Sequence, residues 1–244
     1  MSMLADSKAD MEQMKQQLQQ RLKCKDLGDL TDYLGMAITC DRPARTITLS
    51  QSHYIGQILE KFEIAVLRYL RGTKGHALTL GGPSPPLLSG FSDSSWADTQ
   101  PDRRSSQGYG FTLGSGLGSW RSTRSFSVSL STCEAELYAG TLAAEESRWL
   151  CFHLAELGAP QPCPTLWCDN ASTIHLTQDP VYHARSKHIE VRYFFIRELV
   201  QRGLLAVRKI TAKANLADIF TKAFLRHAHS ALLRLIGLAR PGAP

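Results

Sequence analysis

A run of Gly, Ser and Pro at residues 81–86 (GGPSPP) is the feature that most constrains how this chain can fold. Pro lacks the backbone donor that helices and central strands need, and Gly weakens both, so no regular element is expected to cross this run. We therefore predict a first region at residues 1–63, a connecting helix and Pro/Gly linker at 64–86, a main domain at 87–239 and a disordered tail at 240–244.

The first region shows helical spacing of apolar residues over 8–22 and 51–62. Between these helices, residues 33–39 and 46–50 are rich in the β-branched and aromatic side chains typical of strands. Residues 64–71 are expected to continue as a helix until Gly72 and Gly75 end it.

The sequence of the main domain predicts more strands and helices than that of the first region. Strands are expected at 88–92, 108–113, 119–121, 125–130, 165–168 and 204–210, and helices at 131–157, 171–178, 187–201, 214–224 and 227–238. Hairpin strands followed by alternating helices and strands indicate an α/β fold with a mixed sheet.

The composition is that of an ordinary soluble protein, with 43% hydrophobic and 20% charged residues. The 28 Lys and Arg against 22 Asp and Glu give a net charge of +6, which favours a polyanionic partner at long range. Six cysteines without a Cys-x-x-Cys pair indicate reduced thiols. With no leader-like apolar segment near the N-terminus, we expect an intracellular protein of the cytoplasm or nucleus, not secreted and without a membrane partner.

Acidic residues stand at the ends of predicted strands. Asp93 follows one strand and Asp169 another, and ligands of open α/β sheets gather at strand ends. Carboxylates brought together repel one another unless a cation joins them. Oxygen ligands without a nearby Cys/His cluster favour Mg²⁺ or Mn²⁺ over zinc.

The long helix offers two acids, Glu134 and Glu136, which face different directions because they are two residues apart. Ser131 and Glu134 have the spacing of a capping box, in which Ser131 accepts from the Glu134 N–H and Glu134 accepts from the Ser131 N–H. This pattern gives Glu134 a structural role and leaves Glu136 for a metal ion.

Each of the other acids has a structural alternative when taken alone. Asp218 falls in the first turn of a predicted helix, where the helix dipole favours an acid. Asp93 could be a turn residue, and Asp169 could cap the helix that starts near Ala171. The metal-site prediction therefore rests on the order and context of the acids together.

Five segments in order resemble the ribonuclease H domain of Ty1/copia-type retrotransposon polyproteins. They are GFSDSSWADTQPDRRSSQGYGFTLGSGLGSWRS (90–122), SLSTCEAELYAG (129–140), LWCDNASTIHL (166–176), HARSKHIEVRYFFIRELV (183–200) and NLADIFTKA (215–223). The resemblance implies a five-stranded mixed sheet flanked by helices.

The resemblance also implies a function, the endonucleolytic cleavage of the RNA strand of an RNA–DNA hybrid. It maps the catalytic, metal-binding quartet onto Asp93, Glu136, Asp169 and Asp218. Two Mg²⁺ or Mn²⁺ ions about 3.5–4 Å apart would flank the scissile phosphate, without any small-molecule cofactor.

Nucleic-acid contacts are expected from Arg104, Arg121, Asn170 and Lys187. For any one of the basic side chains, a solvated surface position is an equal alternative.

Residues 1–63 resemble the end of a copia-type reverse transcriptase domain. The Tyr-x-Asp-Asp metal motif of that polymerase is absent, so polymerase activity is not expected. The mobile His that many ribonucleases H carry before the last Asp is also absent from residues 208–215. Two alternatives to the nuclease follow: a degenerate fold that binds nucleic acid without cutting it, or a decayed transposon fragment without activity.

Overall fold

The computed structural model describes residues 8–22, 25–26, 28–61, 68–83, 87–178 and 190–241. Two five-stranded sheets organise these residues. No helix within the described ranges is both long enough and apolar enough to cross a membrane.

The regular elements alternate along the chain. Before the Gly/Pro run lie α1 (Lys8–Arg21), β1 (Asp32–Tyr33), β2 (Met36–Asp41), β3 (Thr46–Ser50), α2 (Ser52–Lys61), α3 (Arg68–Thr73) and β4 (Ala77–Gly81). After it lie β5 (Leu88–Ser95), β6 (Ser106–Leu113), β7 (Gly116–Arg124), α4 (Thr132–Glu156), β8 (Thr165–Cys168), α5 (Ala171–Gln178), α6 (Glu190–Gln201), β9 (Ala206–Lys209), α7 (Arg226–Leu235) and β10 (Leu238–Ala239).

The first sheet has the order β1-β2-β3-β4-β10 and is antiparallel throughout. The single strand predicted at 33–39 is wrong, because Leu34 and Gly35 take positive φ angles of 50° and 77° and turn the chain between β1 and β2. Such angles end a strand and allow the tight hairpin instead.

Strand β4 is the main departure from the predicted linker. It pairs with β3 on one side and with β10, from the far end of the chain, on the other. Gly81 ends the strand at φ 98°, and a Cβ there would lie 2.2 Å from the Arg45 carbonyl oxygen. The local composition could not indicate this strand, since one of its two partners is about 160 residues away in sequence.

The second sheet has the order β7-β6-β5-β8-β9. Strands β5, β6 and β7 form antiparallel pairs, whereas β8 runs parallel to both β5 and β9. The predicted α/β fold, a mixed five-stranded sheet flanked by helices, is confirmed.

Apolar side chains cover both faces of the second sheet. Leu166 and Cys168 of β8 belong to the cluster that packs against α4 and α6, whereas Trp167 between them packs against α7 on the opposite face. This alternation follows from the two-residue period of a strand. The middle strands β5 and β6 are therefore mostly buried, and polar groups on them are shielded from water.

Three local predictions in this domain need correction. Strand β5 continues to Ser95, so Asp93 lies inside the strand and does not end it. Residues 125–130 are not a strand, because β7 ends at Arg124. The helix predicted at 214–224 is replaced by two short 3₁₀ turns, Ala212–Ala214 and Leu216–Phe220.

Candidate metal centre

Asp93 lies near the C-terminal end of β5 and is only 1% exposed. It lies opposite Gly108 of β6 in the antiparallel ladder. A Cβ at Gly108 would lie 2.6 Å from the Phe220 Cβ, so glycine is what lets the 3₁₀ turn Leu216–Phe220 lie directly on the sheet. This close approach carries Asp218 towards Asp93.

Glu136 lies in the first turns of α4, and the cap of that helix decides which glutamate is available. The Ser131 hydroxyl accepts a hydrogen bond from the Glu134 N–H at 3.1 Å, as predicted. The second hydrogen bond of the predicted capping box, from the Ser131 N–H to the Glu134 side chain, is replaced. Glu134 accepts instead from the Leu130 N–H at 2.6 Å and from the Tyr138 hydroxyl at 2.7 Å. Glu134 is thus engaged in structure, while Glu136 points towards β5 and accepts from the Ser94 N–H at 3.4 Å.

Asp169 directly follows β8, and its neighbour Asn170 caps the next helix. The Asn170 side-chain oxygen accepts from the Thr173 N–H at 3.1 Å. Because Asn170 satisfies this backbone donor, the capping role considered for Asp169 falls to Asn170. Asp169 is left to face the other acids.

Asp218 lies in the 3₁₀ turn Leu216–Phe220, which begins at a fully buried Asn215. The Asn215 side chain accepts from the Ala217 N–H at 3.2 Å and donates to the Ser92 carbonyl at 2.9 Å. One side chain therefore caps the turn and fastens it to the strand next to Asp93. Sequence reasoning missed Asn215, although an Asn at the start of a turn is a known capping signal.

All four predicted acids come together at one end of the parallel strands. Carboxylate oxygens of Asp93, Asp169 and Asp218 lie within 4.8 Å of one another. Glu136 and Asp169 form a second group of the same size with the Cys168 sulfur. Since Asp169 belongs to both groups, the four carboxylates form one continuous acidic centre.

Burial and mutual repulsion shift the ionisation of this centre. Burial, together with the charges of Asp93 and Asp169, raises the pKa of Glu136 to about 9. Burial and the charges of Asp93 and Asp169 also outweigh the Lys222 contact and raise the pKa of Asp218 to about 6. Burial and the charge of Asp93 raise the pKa of Asp169. Clustered carboxyl groups with raised pKa values are typical of functional sites.

The residues fit a divalent cation. Glu136 Oε2 is buried and has no hydrogen-bond partner among the described residues. A buried, unpaired carboxylate oxygen costs free energy unless a proton or a cation satisfies it. The donor set consists mainly of carboxylate oxygens, which Mg²⁺ and Mn²⁺ prefer.

Two further residues reach the centre that the sequence did not identify. The Lys222 ammonium lies 3.1 Å from Asp93 Oδ1 and 2.7 Å from Asp218 Oδ1. The Thr221 hydroxyl donates to Asp93 Oδ2. Only the spacing of Lys222, four residues after Asp218, could have indicated its pairing with that acid.

The structure describes three of the four predicted nucleic-acid contacts, Arg104, Arg121 and Asn170. Arg104 pairs with Asp102 at 3.2 Å, and Asn170 caps α5. Arg121 is exposed on β7 opposite Tyr109. Burial and the charge of Glu146, only partly offset by Arg121, raise the pKa of Tyr109 to about 12. Lys187 lies outside the described residues.

Comparison with known proteins gives matches of both sequence and structure. Residues 1–69 match the family model described as reverse transcriptase (RNA-dependent DNA polymerase). The chain is 44% identical over 173 residues to the retrovirus-related Pol polyprotein from transposon TNT 1-94 of Nicotiana tabacum, a match that covers 71% of this chain and 13% of the relative. It is 37% identical over 177 residues to the corresponding polyprotein from transposon RE1 of Arabidopsis thaliana, with 72% and 12% covered.

The predicted relationship to copia-type transposon Pol polyproteins is confirmed. The chain spans about an eighth of the length of these relatives. Among solved structures, LC11-RNase H1, isolated from compost by a metagenomic approach, is similar with a TM-score of 0.44 and 16% identity, covering 56% of this chain and 93% of that one.

Proposed function

We propose that residues 87–239 form a metal-dependent nuclease that cleaves the RNA strand of RNA–DNA hybrids, as one part of a copia-type Pol polyprotein. The observation that carries this proposal is the convergence of Asp93, Glu136, Asp169 and Asp218 from four separate segments, with Glu136 Oε2 buried and unpartnered among the described residues. Folding such a set together costs free energy, and cation binding is the function that offsets this cost.

Asp93, Glu136, Asp169 and Asp218 would hold two Mg²⁺ or Mn²⁺ ions. Bound ions of this kind polarise a phosphate and lower the pKa of an attacking water. The chain itself contributes rigidity: Asp93 is held by the ladders on both sides of β5, and Asn215 ties the turn of Asp218 to Ser92. Preorganised carboxylates need little rearrangement when the substrate arrives.

The net charge of +6 supports a polyanionic substrate by drawing it in at long range. Arg104, Arg121, Asn170 and Lys187 are proposed to contact the backbone of the hybrid, and the cytoplasm or nucleus is the proposed place of action. The match of residues 1–69 to a reverse transcriptase model supports a hybrid substrate, because reverse transcription produces RNA–DNA hybrids.

The test is cleavage of a hybrid labelled on its RNA strand, in Mg²⁺ and separately in Mn²⁺, with single-stranded RNA and duplex DNA as comparison substrates. We expect metal-dependent cutting of the hybrid RNA. In Asp93→Asn the cleavage rate should fall by at least about a thousandfold, because removing one member of a group that acts as a unit costs nearly as much as removing all of them. Glu198→Gln serves as the matched control, because Glu198 is an exposed acid paired with Arg202 on α6.

Each result decides between the proposed functions. Cutting that is lost in Asp93→Asn and kept in Glu198→Gln supports the nuclease. Tight hybrid binding without cutting by the folded wild-type chain would contradict the nuclease and support a binding module. Neither binding nor cutting would point to a decayed fragment.

A further inference from the structure

The ammonium group of Lys222 lies between two acids of the centre, and this position sets it apart from the other cations nearby. Its nitrogen is 2.7 Å from Asp218 Oδ1 and 3.1 Å from Asp93 Oδ1. The Lys222 side chain is 37% exposed, whereas the side chains of its two partners are 12% and 1% exposed. A partly exposed cation thus neutralises two largely buried anions.

The backbone of the last 3₁₀ turn fixes this arrangement. The Lys222 N–H donates to the Asp218 carbonyl at 2.9 Å, which brings the side chains of the two residues to the same side. Thr221 occupies the second oxygen of Asp93. Both carboxylate oxygens of Asp93 are therefore engaged by neighbouring residues of one segment.

The centre is electrostatically uneven. On the side of Asp218, Lys222 supplies a cation to both Asp93 and Asp218. On the side of Glu136, Oε2 has no hydrogen-bond partner among the described residues. A metal ion entering on the Glu136 side would meet a carboxyl oxygen that no described residue engages, whereas an ion entering on the Asp218 side would meet the Lys222 ammonium.

We infer that Lys222 is a positioning residue that holds Asp93 and Asp218 together in the metal-free chain and competes there with one of two divalent ions. Ions then bind in order, first on the Glu136 side and second on the Asp218 side, where the Lys222 ammonium must leave the carboxylates. This inference rests on the proposed function.

The chemistry of lysine suits such a displacement. Its charge is a compact point at the end of a flexible four-carbon stem, so the ammonium can move into solvent without disturbing the turn. Mg²⁺ and Mn²⁺ need the carboxylate oxygens themselves as ligands, and a cation within about 3 Å of an incoming divalent ion is strongly unfavourable. Lys222 and the second ion are therefore mutually exclusive on these oxygens.

The test is Mn²⁺ binding to the metal-stripped full chain, with free Mn²⁺ followed by electron paramagnetic resonance. The wild type is expected to show one tighter and one weaker site. In Lys222→Met the weaker site should tighten by roughly tenfold or more, because its competing charge is gone. Lys222→Arg, which keeps a cation, should retain the weak second site.

A matched control and a second readout separate this role from a general charge effect. Lys213→Met makes the same change in net charge at an exposed position on the preceding turn, and its Mn²⁺ binding should stay within about twofold of the wild type. Lys222→Met should also melt at a lower temperature than the wild type in chelator. Its melting temperature should rise more on addition of Mn²⁺ than that of the wild type does. If Lys222→Met does not fold, Lys222→Gln replaces it in both measurements.

Two negative results have different meanings. Two-site binding with the same affinities in the wild type and Lys222→Met would overturn the inference and leave the proposed function standing. No Mn²⁺ binding by the folded wild type would overturn the proposed function, and the inference with it.

Discussion

The two sheets of this chain differ sharply in how deeply their residues are buried. Among the described residues up to residue 83, only Gly56 and Ala77 are buried. The second sheet buries side chains on both faces, including Phe111 at 1% and Leu166 at 1% exposure. The described residues up to residue 83 therefore contribute little core of their own, while the residues around the acidic centre pack into one.

Truncating the same residue type in both regions tests this difference in burial, with the largest expected effect on stability. Ile196 of α6 is 1% exposed and packs in the main core, whereas Ile47 of β3 is 45% exposed. Ile196→Ala should reduce the free energy of unfolding by about 2–5 kcal/mol, because it leaves a cavity. Ile47→Ala should cost less than about 1 kcal/mol. Urea unfolding followed by far-ultraviolet circular dichroism measures both, and equal losses would refute the contrast.

The next effect is a dependence of stability on pH that belongs to the second region. The pKa of Glu136 is raised from 4.5 to about 9 by burial and by Asp93 and Asp169. Between these values the folded chain keeps a proton that the unfolded chain has released, so stability falls as pH rises through the window. Asp218, raised from 3.8 to about 6, acts in the same direction at lower pH.

Thermal unfolding in chelator should therefore give a Tm that is several degrees lower at about pH 8.5 than at about pH 5.5. Mg²⁺ should flatten this slope, because it stabilises the ionised carboxylates. Glu136→Gln should also flatten it, while the exposed control Glu198→Gln should not. A metal-free Tm that rises across this range would show that the acids are not clustered.

A smaller effect is expected where the 3₁₀ turn lies on the sheet. Gly108→Ala would place a Cβ 2.6 Å from Phe220 Cβ and 2.9 Å from Thr221 Cγ2, so the turn that carries Asp218 must shift. We expect a loss of about 1–3 kcal/mol and a weaker stabilisation by Mg²⁺. Gly118→Ala is the matched control, since its nearest neighbour would be at 3.8 Å. Equal effects at the two glycines would argue against this close approach.

The smallest effect tests the division of roles between two adjacent residues. Asn170→Ala removes the cap of α5 and should cost about 0.5–2 kcal/mol. Metal binding should change little, because Asp169 rather than Asn170 belongs to the acidic groups. Asp169→Asn should instead lose Mg²⁺ binding in calorimetric titrations while its stability changes little. A loss of metal binding in Asn170→Ala alone would contradict the assignment.

Sequence reasoning succeeded where a feature depends on nearby residues. The cap of α4 at Ser131 and the strand that leads into Asp169 are determined by residues within a few positions, and both are present. It failed where partners are distant in sequence. Strand β4 needs β10, which is about 160 residues away. The Glu134 bond is a local exception: it goes to the Leu130 N–H because the approach of the chain into α4 decides which N–H is within reach.

The same distinction applies to the acidic centre. The four acids could be proposed from their order and context, but Lys222 and Asn215 could not. Their roles depend on contacts with Asp93 and Ser92, which are more than 120 residues earlier in the chain. Only the folded arrangement of the turn on the sheet brings these partners together.

The four carboxylates that meet at the end of the second sheet are proposed to form one divalent-metal centre. The most direct test is a crystal structure of the chain with Mn²⁺, using anomalous scattering to locate the ions. We expect anomalous peaks that mark Mn²⁺ ions coordinated by Asp93, Glu136, Asp169 and Asp218, with the Lys222 ammonium moved away from Asp93. Ordered Mn²⁺ bound elsewhere, with Lys222 still between Asp93 and Asp218 and no peak at the four acids, would contradict it.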